Sequence, residues 1–214
     1  MSHTLSLIKN LHWIVVDEMY PSRIVKDILN RSALPHTYLG IHGKKYGSNA
    51  GRNTALRYIR TKMTRIEDAV VYFADDDNVY DIRLFDSYIR KVKTIGIWAV
   101  GTVGNVQVEY PKVENGVIIG YETGFWPNRE FAVDMAGFAV NIQLLRETPS
   151  AQFPSNCCHY ESENIFLQSF GRLKEEVHPF GYDDHPREVL VWHTQTHVGR
   201  DTLSTYSYGY RTEY

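Results

Sequence analysis

The stretch that most constrains this chain is Val70-Val71-Tyr72-Phe73-Ala74-Asp75-Asp76-Asp77-Asn78. Val, Tyr and Phe favour a pleated, buried strand, and here the run stops abruptly in three consecutive carboxylates. Unpaired charge is expensive to bury, so the triplet must stand at the mouth of its strand. That is where an α/β sheet opens its ligand crevice. Three adjacent negative charges repel one another unless a cation joins them. A hard divalent ion with oxygen ligands is the natural partner, and a metal held there can clamp a diphosphate. A solvated acidic turn after a buried strand is the other reading of the same residues.

The surroundings supply a sheet for that strand. Leu11 to Val16 is a short apolar run ending in Asp17-Glu18. Ile24, Val25, Ile28 and Leu29 then recur at helical spacing. Pro35 to Ile41 reads as a weaker strand, Gly43 to Gly51 as a loop, and Ala55 to Met63 as a helix. Strand and helix alternate, which predicts a parallel sheet with crossover helices. Residues 82–89 suggest another helix and Ile95 to Val100 another buried strand.

The pattern changes after residue 100. Val106, Val108 and Tyr110 alternate with polar residues, and Asn115-Gly116 is a strong hairpin signal before Val117-Ile118-Ile119. Ala136 to Ile142 reads as a buried strand, Glu161 to Phe170 as a helix and Val189 to Trp192 as a last strand. The Tyr/Ser/Thr-rich tail from Thr202 is expected to be loosely ordered.

Net charge near −2 argues against a nucleic-acid or polybasic membrane surface. No apolar run approaches the roughly 20 residues of a membrane span, and no signal-peptide core follows Met1. The two cysteines, Cys157 and Cys158, are adjacent, which suits neither a mutual disulfide nor a zinc spacing. Asn30-Arg31-Ser32 fits a glycosylation sequon.

Several short segments, in order, together resemble the animal β-1,3-glucuronyltransferases, a family of inverting, nucleotide-sugar-dependent Golgi enzymes. They are Leu11-His12-Trp13, Arg52-Asn53, Tyr72 to Asn78, Val133 to Val140, Glu161-Ser162 and Trp192-His193-Thr194, and the likeness runs from about Thr4 to Thr196. It implies a GT-A-like α/β fold built on a mixed sheet. Residues 1–100 would form a parallel UDP-sugar-binding half. Residues 101–214 would form a partly antiparallel half for acceptor binding and catalysis, the two making one integrated catalytic domain.

The resemblance also implies roles. Asp77 would ligate Mn²⁺, with Asp75, Asp76, Glu18, Arg52 and His193 binding the UDP-glucuronic acid donor. Glu161 would be the catalytic base. Glu109, Phe125, Arg129 and Asp134 would hold a galactose-terminated glycan acceptor, and homodimers are common in the family. Taken alone, Arg52 also reads as a surface helix arginine. Glu161 also reads as an acid favoured by a helix N-terminus. Glu163, two residues on, is expected to face elsewhere.

Some positions depart from the family pattern. Phe125 stands where the family carries Trp, with Trp126 one residue on. Gln195 replaces an arginine, which implies a weaker hold on the diphosphate or on the donor carboxylate. Asp17-Glu18 stands where the family typically reads Glu-Asp. The chain is also expected to begin one strand late, without the membrane anchor of full-length Golgi relatives. The implied activity is transfer of glucuronic acid to the 3-hydroxyl of galactose. A UDP-xylose-using relative and a glycan-binding pseudoenzyme are the alternatives.

Overall fold

The computed structural model describes residues 1–17, 21–41, 47–104, 106–155, 161–194 and 209–211. Glu18, Cys157, Cys158, Gln195 and most of the tail lie outside the described residues.

The chain opens with a short helix, α1 (Ser2–Leu5), then β1 (Trp13–Asp17), α2 (Arg23–Ser32) and β2 (His36–Gly40). β1 and β2 pair in parallel, Trp13 opposite His36 and Asp17 opposite Gly40, with α2 as the crossover. α3 (Ser48–Lys62) follows, and it begins well before Ala55. The glycine-bearing stretch expected to be loop therefore yields its last residues, Gly51 included, to the helix. Next come β3 (Val70–Tyr72), the acid turn, β4 (Asn78–Tyr80), α4 (Arg83–Ser87), β5 (Ile95–Ile97), β6 (Val100–Val103), β7 (Val106–Glu114) and β8 (Val117–Glu122). The last part holds β9 (Phe138–Asn141), α5 (Ile142–Glu147), α6 (Ser162–Gln168), β10 (His178–Pro179), β11 (Arg187–Glu188), β12 (Val191–His193) and β13 (Tyr210–Arg211).

Two larger mixed sheets organise these strands. The first runs β10-β5-β9-β3 and the second β4-β12-β6-β7-β8. β9 lies antiparallel between β3 and β5, with Tyr72 opposite Ala139 and Ile97 opposite Phe138. The early strands β3 and β5 thus run parallel to each other, but a strand from beyond residue 100 separates them. Both sheets draw strands from each side of residue 100. The apolar run Ile95 to Val100 is not one strand. It leaves the first sheet after Ile97 and enters the second at Val100, and at the crossing the Trp98 indole donates to Ala136 O at 2.9 Å.

Alternation along β5 and β9 explains why the first sheet is buried on both faces. Ile95, Ile97, Phe138 and Val140 point into a core shared with Phe73, Phe153, Phe166 and Leu167. Ala139 faces a second core built on Tyr80, Leu84, Phe85, Tyr88 and Trp98. The β7–β8 hairpin turns at Asn115 and Gly116, whose φ values of 51° and 80° are the left-handed pair that a two-residue turn demands. Within the tail expected to be loose, Tyr210 is buried and Tyr210–Arg211 pairs with β11. Among the described residues no helix is long and apolar enough to cross a membrane.

Candidate active site

The acid triplet occupies the turn between β3 and β4, one strand in each large sheet, so it lies where the two sheets meet. The turn is pinned from both sides. The Tyr80 hydroxyl donates to Asp75 O at 2.6 Å, and Thr194, just past β12, donates to Asp77 O through its N–H at 3.1 Å and its hydroxyl at 2.5 Å. Asp75 is half-buried and pairs with the Arg52 guanidinium at 3.0 Å. Burial pushes its carboxyl up, Arg52 opposes that, and Asp134 and Asp77 add to it. Asp76 and Asp77 are exposed, and their side chains join no ion pair among the described residues.

Asp134 is the hub. It caps the tight turn at Met135–Gly137 by accepting the Ala136 N–H at 2.9 Å. Tyr72 and Trp98 both donate to the Ala136 carbonyl and hold that turn in place. The same Asp134 oxygen meets His193 Nε2 at 3.0 Å. That bond raises the pKa of His193, with Asp77 and Asp75 contributing at longer range. Asp134 also acts electrostatically on Asp75, Glu109 and Glu163.

Glu109, on β7, is 5% exposed. Its carboxylate accepts a short bond from the Thr123 hydroxyl and one from the Asp134 N–H. No lysine, arginine or histidine forms an ion pair with it among the described residues. Burial dominates and carries its pKa up to about 8, Asp134 adding and Arg129 opposing. Beside it the loop after β8 makes an aromatic platform. Phe125 and Trp126 stack at 4.8 Å, Trp126 is 57% exposed, and the Arg129 guanidinium lies 5.6 Å from the Phe125 ring. Arg129 donates to Trp126 O and Phe125 O, closing the loop on itself. Gly124 admits no side chain, because a Cβ there would stand 1.6 Å from Gly104 O.

The two glutamates of α6 part company. Glu161 is the cap residue and lines an open groove of about 480 Å³ together with Trp126, Asn128, Arg129, Glu130 and Gln168. Glu163 lies in the first turn and is half-buried. Burial raises its pKa to about 7, Asp134 adds to that, and Arg52 and Arg129 pull it down. Both glutamates are half-buried, while Ser162 and Asn164 beside them are buried.

Residues outside the expected set hold the site together. Asn49, 5% exposed, accepts from Arg52 at 3.3 Å and donates to Ser162 Oγ at 2.9 Å and Pro154 O at 3.1 Å. Asn53 exchanges two bonds with the Phe153 backbone, at 2.8 and 2.9 Å. Arg60 donates to the carbonyls of Leu145, Thr148 and Ala151. Together they clamp α3 onto the segment that leads to α6.

Among the described residues no three His, Cys, Asp or Glu side chains converge as a metal cage. A divalent cation that travels with phosphate needs only one or two carboxylates, since phosphate oxygens and water complete its shell. The exposed Asp77 fits that role. Next to it is Asn78, buried directly opposite His193, with its side-chain amide acting on the nearby Tyr80 hydroxyl.

Known proteins match the chain along most of its length. Residues 1–197 match the family described as Glycosyltransferase family 43. The chain is 38% identical over 213 residues to Galactosylgalactosylxylosylprotein 3-beta-glucuronosyltransferase sqv-8 of Caenorhabditis elegans, covering 92% of this chain and 58% of that protein. It is 35% identical over 207 residues to Galactosylgalactosylxylosylprotein 3-beta-glucuronosyltransferase 2 of Homo sapiens, covering 92% and 63%. A third relative, Galactosylgalactosylxylosylprotein 3-beta-glucuronosyltransferase 3 of Cricetulus griseus, is 35% identical over 225 residues, covering 92% and 64%. The chain thus spans less than two thirds of the length of these relatives.

Proposed function

The chain belongs to glycosyltransferase family 43, and from that premise we propose that it transfers glucuronic acid from UDP-glucuronic acid to the 3-hydroxyl of a terminal galactose, with inversion at the anomeric carbon. The observation that carries the reading is the convergence on Asp134 of a donor side and an acceptor side. The donor side is the acid turn with Arg52 and His193. The acceptor side is Glu109, Glu163 and the Phe125–Trp126 loop with Arg129. A GT-A-type arrangement, with the nucleotide at the strand mouths and the acceptor across from it, suits this layout.

Two glutamates at the start of α6 could serve as the base: Glu161, to which the family resemblance points, and Glu163, which is taken as the base here. In a single displacement the acceptor oxygen bonds to the anomeric carbon as the bond from that carbon to the UDP oxygen breaks. The acceptor's proton goes to a carboxylate on the face opposite UDP. Burial raises the Glu163 pKa to about 7, a hydrogen bond from its own backbone opposing, and such a value suits a base at neutral pH. Glu161, at the rim of the groove, suits contact with a more distant part of the acceptor. Asp77 would hold Mn²⁺ and Asp75 would keep Arg52 in place. The cation would neutralise charge that builds on the departing diphosphate. His193, its proton favoured by Asp134, donates toward the same group. A Golgi-luminal setting goes with the same family reading.

The test is UDP release from UDP-glucuronic acid by the purified protein, with Mn²⁺ and a galactose-ended acceptor, run in parallel with UDP-xylose. Release with glucuronic acid alone is expected. A folded protein that releases no UDP with either donor would overturn the proposal.

A further inference from the structure

Glu109 and the aromatic loop are joined by one hydroxyl, and a bulge in the hairpin puts it there. Far from the turn, Tyr110 stands opposite Glu122 and Lys112 opposite Gly120. Nearer the turn the register shifts by one, with Val113 opposite Ile118 and Glu114 opposite Val117, so Ile119 is an extra residue on β8. Without that shift Glu109 would stand opposite Glu122, and like charges directly opposite repel. With it, the register carried one step past Tyr110 brings Thr123 opposite Glu109. Glu122 pairs instead with Lys112 at 2.7 Å.

A hydroxyl carries one proton and two lone pairs. Thr123 donates to the Glu109 carboxylate and accepts the Phe125 N–H at 3.2 Å. Phe125 O in turn accepts from Arg129 at 2.9 Å, and Arg129 also donates to Trp126 O at 3.1 Å. Between Thr123 and Phe125, Gly124 lies so close to Gly104 that no Cβ would fit. Trp126 sits at φ 43°, a left-handed backbone that bulky residues rarely adopt, and the Arg129 bond to its carbonyl helps hold it there. A buried carboxylate on β7 and a stacked, exposed ring pair are thus fixed relative to each other through the Thr123 side chain.

A sugar presents two kinds of surface, hydroxyls at its edge for a carboxylate and C–H groups on its face for an aromatic ring. A site that engages both must hold the two at a set spacing, because a hydrogen bond weakens steeply with misalignment. We propose that Thr123 is a positioning residue of the acceptor site, holding the Glu109 carboxylate and the Phe125–Trp126 platform in one geometry so that a sugar's hydroxyl edge and its face are engaged together. The inference rests on the acceptor role proposed above for Glu109 and the platform, and assigns the residue that aligns them. Loss of the Thr123 bond leaves the carboxylate anchored by the Asp134 N–H and free to turn about it.

The test measures the acceptor KM and, by calorimetry, the Kd of a galactose-ended disaccharide for wild type, Thr123→Ser, Thr123→Cys and Thr123→Val. UDP binding with Mn²⁺ and Tm serve as checks on folding. Serine keeps the donor and the acceptor, cysteine keeps the size with a weak donor, and valine keeps the shape with neither. KM and Kd are expected near wild type in Thr123→Ser, raised in Thr123→Cys, and raised about tenfold or more in Thr123→Val, with kcat at saturating acceptor and UDP affinity changed less than about threefold. Should Thr123→Val fail to fold, Thr123→Cys carries the comparison. An acceptor KM and Kd unmoved in the folded cysteine and valine variants, or a serine variant as impaired as the valine one, would overturn the inference. A wild type that binds the disaccharide but transfers nothing would overturn the function proposed above and leave the series to be judged on Kd. One that binds no disaccharide would overturn both.

Discussion

Replacing Glu163 by Gln, with Glu161 left intact, puts the assignment of the base at risk. Burial raises the Glu163 carboxyl to about 7, opposed by a bond from its own backbone and by Arg52 and Arg129, with Asp134 adding. A base with that pKa is about nine-tenths protonated at pH 6, so the wild-type kcat should fall about tenfold for each pH unit below 7. A glutamate of ordinary pKa, about 4.3, would leave the rate flat down to about pH 5. Gln keeps the size of the side chain and cannot take the proton. The expected loss in kcat is about 10²- to 10⁴-fold, which corresponds to about 3–5 kcal/mol of barrier. Because the site already disfavours the charged form, the neutral amide should leave Tm unchanged or raise it. The assay is UDP release at saturating donor across pH, with UDP binding as the check on folding. Glu161→Gln should change acceptor KM more than kcat and keep the acid limb. Full activity in Glu163→Gln, with the loss appearing in Glu161→Gln, would refute the reasoning.

Other outcomes follow from the same geometry. Glu109 has its pKa raised from 4.5 to about 8 in the folded protein, so it contributes stability that is present below pH 4.5 and lost as pH rises through 8. Glu109→Gln removes that loss, and by urea titration the variant should gain on wild type between pH 5 and pH 9 by at most about 5 kcal/mol. Arg52→Ala strands Asp75 beside Asp77 and Asp134 without its cation, and UDP affinity should drop about tenfold or more in calorimetry. Asn53→Ala breaks both bonds to the Phe153 backbone and should cost about 1–3 kcal/mol in chemical denaturation. Gly124→Ala forces the loop away from Gly104 O and tilts the Phe125–Trp126 platform. Acceptor KM should rise while UDP binding stays as in wild type.

What could be seen in advance was local. The strand ending in the acid triplet, the helical spacing of α2 and the Asn115-Gly116 hairpin each depend on neighbours a few residues away. The insertion of β9 between β3 and β5 depends on pairing across long sequence separations, which periodicity does not encode. Nor does a continuous apolar run such as Ile95 to Val103 reveal that it changes sheets halfway. Asn49 and Asn53 look like loop polar residues until their partners, 113 and 100 residues away, are folded against them. In the site, the residue types were legible and their pairings were not: Arg52 with Asp75, and His193 with Asp134, exist only in three dimensions.

The account stands most directly on the product. Incubation with UDP-glucuronic acid, Mn²⁺ and a galactose-ended disaccharide, followed by NMR of the purified trisaccharide, reports both the linkage and the anomeric configuration. A β-glucuronosyl residue on the galactose 3-hydroxyl is the result expected from a base facing the donor turn across the hub. An α-linked product, a different hydroxyl, or glucuronic acid released only to water would contradict it.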